Sequence, residues 1–167
     1  MARKKIAYLG LLISLAFIFS YLEFLIPINL GVPGVKLGLA HLVIIVALYT
    51  IGEKETFFLS VVRILLVGFT FGNLSMMIYS FAGGMASYLV MILMKKVGAF
   101  TTKGVSALGG VFHNIGQIVV AMLMLETTQL VYYLPILMVA GIVSGVIIGL
   151  LASMVIVRVE KYYRKSA

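Results

Sequence analysis

Eight polar or charged side chains interrupt an otherwise apolar chain, and they are the groups able to bind or transform something. They are Glu23, Lys36, His41, Arg63, Asn73, His113, Asn114 and Gln117. Ionisable groups inside long apolar runs are costly in lipid, so each marks a candidate site. Helical rise sets Arg63 near the middle of its run, and His113, Asn114 and Gln117 between the middle and the outer half of theirs. His41 lies a little over one turn into its run, Glu23 one turn from the end of its own, and Lys36 and Asn73 at the outer surface. All eight fall in one half of the membrane. That grouping predicts a polar cavity facing outward, roofed by the Gly/Pro segment 27–35. Its fixed charges are Lys36 and Arg63 against Glu23, which favours an anionic or phosphate-bearing ligand. A structural role competes with this reading. Arg63 and Glu23 could simply pair, Asn114 and Gln117 could bridge helices, and either histidine could be a satisfied core residue.

Other chemistries find little support. The chain has no cysteine and no aspartate; its acids are Glu23, Glu53, Glu55, Glu126 and Glu160. Disulfides, thiol nucleophiles and iron–sulfur clusters are therefore excluded. No GxxxxGK[ST] element occurs, so ATP is not hydrolysed through a P-loop. The histidines have no HExxH context, and no glutamate has a catalytic-triad context. No cofactor motif and no metal-ligand pattern is present.

The elements that hold these residues follow from composition. The chain has 167 residues, of which 63% are hydrophobic and 11% charged. Water-soluble domains carry about 25% charged residues. A chain this short could not bury so much apolar surface in water, so lipid is its solvent. The expected fold is an all-α integral membrane bundle of six helices in one domain. The spans are about 6–26, 35–51, 56–71, 74–94, 104–125 and 133–157, with Pro135 acceptable in the first turn of the last. Spans 2 and 3 are short and contain His41 and Arg63, so a re-entrant hairpin stays open as an alternative. The net charge of +8 reads as topology, not as a nucleic-acid surface, because the basic residues flank apolar runs. With both ends in the cytoplasm, every basic residue of the connecting segments except Lys36 lies inside. The expected location is the cell membrane.

Lipid supplies no hydrophobic push between helices, so small residues should mark the seams. Gly141, Gly145, Gly149 and Ser153 recur every four residues. Ser80, Gly83, Gly84 and Ser87 form a second set, and Ser106, Gly110, His113 and Gln117 a third. Gly10 and Ser14 form a small pair on the first span.

Three blocks carry a family resemblance. They are Pro33-Gly-Val-Lys-Leu-Gly-Leu-Ala-His41, with His41 where Asn is common; Tyr79-Ser-Phe-Ala-Gly-Gly84 with Ser87 and Met91; and the HNxxQ-centred run Gly104–Gln117. Together they resemble the Gx transporter family, often labelled heptaprenyl diphosphate synthase component I, over about residues 6 to 157. That family is similar to substrate-binding S components of energy-coupling factor (ECF) transporters. The resemblance implies six helices, an outward-facing ligand site, and docking of a transmembrane coupling subunit, served by ATPases, through Gly10 and Ser14. The synthase label sits poorly with the residues, because familiar prenyl diphosphate synthases hold diphosphate through magnesium on aspartate-rich motifs.

The first functional expectation is thus a membrane substrate-binding or transport subunit for a small anionic or amphipathic metabolite. The alternatives are a membrane component of prenyl diphosphate synthesis, and an accessory subunit of a quinone- or flavin-linked redox assembly.

Overall fold

The computed structural model describes the backbone of residues 2–25 and 38–165, and the side chains of residues 5–25 and 38–161. Long apolar runs with few breakers become six α-helices: α1 (Ala2–Leu25), α2 (Leu39–Thr50), α3 (Glu53–Thr70), α4 (Leu74–Val97), α5 (Thr102–Met124) and α6 (Leu134–Lys165). A short 3-10 turn, Gln129–Tyr133, leads into α6. The breaks are local chemistry. The Asn73 side chain accepts the Met76 N–H at 2.8 Å and starts α4. Gly98, in the left-handed region at φ 72°, ends α4 just after Lys95 and Lys96.

The helices form a closed ring in which α1 touches α2, α2 touches α6, and α5, α4 and α3 lead back to α1. The α4–α5–α6 half is held by glycine. A Cβ on Gly110 would come 2.5 Å from the Gly141 carbonyl oxygen, and one on Gly149 would come 2.6 Å from the Lys103 Cα. Across the other seam, a Cβ on Gly83 would come 2.7 Å from the His113 carbonyl oxygen. These backbones touch because no side chain separates them, as the small-residue stripes lead one to expect. Ser153 departs from its stripe: its hydroxyl turns back to the Leu150 carbonyl oxygen at 2.7 Å.

α2 is apolar all round, and Val43 to Leu48 are buried without interruption. Such a helix belongs inside the protein. Its residues form the centre of the core with Leu12, Ala16, Leu59, Met91, Val105 and Ile148. Outside, large apolar side chains face away from the chain, among them Ile6 and Leu11 on α1, Leu89 and Leu93 on α4, and Val139 and Val143 on α6. That is the surface of a protein solvated by lipid.

Four helices, α1, α4, α5 and α6, are long and apolar enough to cross a membrane. The expected six spans reduce to this coarser result for a physical reason. The twelve residues of α2 reach only about 18 Å, and α3 carries Glu53, Lys54, Glu55 and Arg63.

One end of the ring is tied by charge. Lys5 pairs with Glu55, and Lys96 lies 3.1 Å from Glu53. The hydrogen bond from Lys5 holds the Glu55 carboxyl below its ordinary range. Lys95 donates to the Leu48 carbonyl oxygen at 2.6 Å, and Tyr88 donates to that of Glu53 at 2.8 Å.

Candidate functional site

The remaining polar groups gather inside the ring. Seven residues on α3 bring Arg63 about 10 Å in from Thr70, the end opposite the lysines. There its guanidinium Nη1 donates to Ser20 Oγ of α1 at 3.5 Å. Glu23, one turn further along α1, lies within electrostatic reach of Arg63 without a contact ion pair. Its Oε1 instead accepts the Leu39 N–H at 2.8 Å. That N–H is the first of α2 and has no partner within its own helix.

His41 stands in the first turn of α2. Its ring packs against α5, where Cε1 lies 3.1 Å from the position a Cβ on Gly109 would take. His113 packs on Gly83 of α4. Asn114 donates through Nδ2 to the Leu137 carbonyl oxygen of α6 at 2.6 Å, so it bridges helices as well as facing inward.

These side chains line one hollow of about 270 Å³. Glu23, His41, Arg63, His113, Asn114 and Gln117 all border it, from four helices. Lys36 and the roofing segment 27–35 lie outside the described residues. Asn73 does not border the hollow; it is exposed and caps α4. Gly10 and Ser14 lie on the open face of α1, where Ser14 Oγ donates to the Gly10 carbonyl oxygen at 3.0 Å and a Cβ on Gly10 would meet nothing within 4 Å.

The expected site omitted five lining serines, Ser20, Ser60, Ser80, Ser87 and Ser144. Ser60 and Arg63 are three apart on α3 and so share a face, a spacing the sequence displays. Ser20 offers no such signal, because its role depends on α1 meeting α3. Phe71, Met76 and Met77 border the hollow at the junction of α3 and α4. Phe71 stacks among Phe17, Tyr21 and Phe24 of α1, with ring centres 5.5, 5.5 and 5.2 Å away.

Three buried atoms at the hollow have no hydrogen-bond partner: His41 Nε2, Arg63 Nε and Ser87 Oγ. Buried polar atoms are almost always satisfied, so such a set is the mark of a place for a bound molecule or water. Magnesium is a poor match for this donor set. The hollow offers one carboxylate, Glu23, which already accepts a backbone N–H. Among the described residues no group of three His, Cys, Asp or Glu comes together.

An all-helical, multi-pass membrane protein with a largely apolar hollow, bordered by a few polar side chains, between its helices is the class this structure defines. Within that class the chain belongs to the heptaprenyl diphosphate synthase component I family, whose model matches residues 12–155. No curated protein and no solved structure matches the chain.

Proposed function

We propose that the chain is a ligand-binding membrane component whose hollow takes a small anionic or amphipathic molecule. The observation that carries this reading is the convergence of six polar residues from four helices on one hollow, with three buried polar atoms left unpartnered. Polar groups in lipid without partners are too costly to be kept for packing alone.

Two settings fit such a component. The family description supports a part in prenyl diphosphate synthesis, in which this chain holds a prenyl diphosphate or its precursor at the membrane. The poor match to magnesium favours binding by this chain, with bond-making left to another subunit. The second setting is transport in the manner of an ECF S component, with both ends cytoplasmic, the hollow open to the exterior, and Gly10 and Ser14 docking a coupling subunit that ATPases drive. Its support is the hollow itself and the open small-residue face of α1.

Protein extracted gently from its native membrane, then denatured and analysed by mass spectrometry, tests the shared claim. An acidic small molecule should accompany the wild type and be depleted in Arg63→Gln. A wild type that carries nothing, and that no prenyl diphosphate, flavin, quinone or vitamin stabilises against heat, would sink the reading. Co-purification with a prenyl synthase favours the first setting, and with ATPases and a coupling subunit the second.

A further inference from the structure

The ligand-binding reading leaves open which group of the ligand is recognised and where. α2 begins inside the ring: Gly38 and Ala40 border the hollow, and Gly38 adopts the left-handed region at φ 81° that turns the chain into the helix. The start of a helix carries partial positive charge; here the Leu39 N–H donates to Glu23 and those of His41 and Leu42 to the Gly38 carbonyl oxygen. Beside it stands Arg63, with an inaccessible Nε that meets no acceptor. Ser87, only 2% exposed, adds a hydroxyl that meets no partner. A helix start, a guanidinium and a serine therefore border the same hollow.

Among the described residues, Glu23 is the one carboxyl bordering the same hollow. It answers the α2 start through Leu39 N–H at 2.8 Å, yet makes no contact ion pair with Arg63. Its carboxylate leaves Arg63 Nε, which is enclosed by protein, without an acceptor. A guanidinium presents parallel N–H groups, the geometry that suits a carboxylate or phosphate.

We propose that the hollow binds the acid group of its ligand at the guanidinium of Arg63 and the start of α2, in competition with the resident carboxylate of Glu23. This rests on the ligand-binding reading and adds the recognised group and the internal competitor. Phosphate or diphosphate oxygens fit best, because they supply more acceptors than the two donors of the guanidinium edge consume. The volume of about 270 Å³ lies just under the roughly 300–1,000 Å³ of ordinary small-molecule pockets. It accommodates a head group and a short apolar portion.

The competition gives a sign that a merely structural role for Glu23 would not. Glu23→Gln keeps an acceptor for the Leu39 N–H and removes the negative charge. Acid ligands should then bind more tightly, by roughly tenfold, the scale of one hydrogen bond to a charged group. Arg63→Gln should weaken them by at least as much. Wild type and both variants, in phosphatidylcholine nanodiscs, are titrated with geranyl diphosphate, inorganic diphosphate and geraniol. Phe71→Trp serves as reporter in each, because the chain has no tryptophan of its own. Tighter binding of either diphosphate to Glu23→Gln, with geraniol unaffected, supports the proposal. Binding of inorganic diphosphate as strong as that of geranyl diphosphate identifies a free anion as the ligand, and a clear preference for the prenyl form identifies an amphipath. Weaker or unchanged diphosphate binding in Glu23→Gln overturns the proposal while leaving a ligand site intact. Failure of all three probes to bind wild type overturns it together with the reading beneath it.

Discussion

Gly145 of α6 lies so close to Ala107 of α5 that a Cβ on the glycine would stand 2.6 Å from the Ala107 Cα. No rotamer relieves that contact, because the neighbour is backbone. Gly145→Leu should force α5 and α6 apart and cost about 1–3 kcal/mol or more. Gly10→Leu, which meets open space within 4 Å, should leave the melting temperature in detergent unchanged. Equal losses for both would show that the α5–α6 seam is not what holds this half together.

Lys95 closes the end of α2 with a 2.6 Å bond to the Leu48 carbonyl oxygen, and its ammonium stands 4.9 Å from the centre of the Tyr49 ring. Lys95→Met keeps most of the apolar stem and removes the donor. Leaving a buried carbonyl unsatisfied should cost about 1–3 kcal/mol. Thermal unfolding of the variant in nanodiscs reads this directly, and an unchanged midpoint would count against it.

Asn73→Ala separates capping from binding. Loss of the bond to Met76 N–H should lower stability by about 1 kcal/mol. Retention of the native ligand should stay at the wild-type level, because Asn73 does not border the hollow. A ligand lost from this variant at full stability would return Asn73 to the site.

Acid should loosen the tie between α1 and α3. The hydrogen bond from Lys5 holds the Glu55 carboxyl below the ordinary 4.5. A depressed folded value means the contribution is present above the ordinary value and is lost as pH falls through the depressed one. Carboxyl carbon NMR should show Glu55 titrating below 4.5 in wild type and moving back towards 4.5 in Lys5→Gln. A Glu55 midpoint that ignores Lys5 would refute the assignment.

Much of the architecture was legible because lipid simplifies the code. Apolar runs ended by glycine, asparagine or lysine pairs marked the long helices, although α6 continues to Lys165 where the apolar run suggested an end near 157, and the four-residue glycine spacing of α6 marked a packing face that the structure sets against α5. α2 was harder. Its hydrophobicity reads equally as a crossing or as a buried helix, and only the tertiary setting shows Val43 to Leu48 enclosed by protein. Within the site, Arg63, His113, Asn114 and Gln117 stood out as costly groups in apolar runs. Ser20 and Ser87 did not, because serine at helical spacing signals close packing and hydrogen bonding alike. Asn73 looked like a site residue because an amide at a helix start and an amide at a binding site share one sequence appearance.

The ring of Phe71 meets three aromatic side chains of α1 spaced four and three residues apart. That arrangement is a ladder with nearly equal rungs. If α1 were to slide along its axis by one turn, about 5.4 Å, Phe71 would trade one rung for the next and keep most of its stacking. The aromatic contact alone would thus tolerate sliding, and the register of α1 is set instead by the Lys5–Glu55 pair, the Arg63–Ser20 bond and the bond from Leu39 N–H to Glu23.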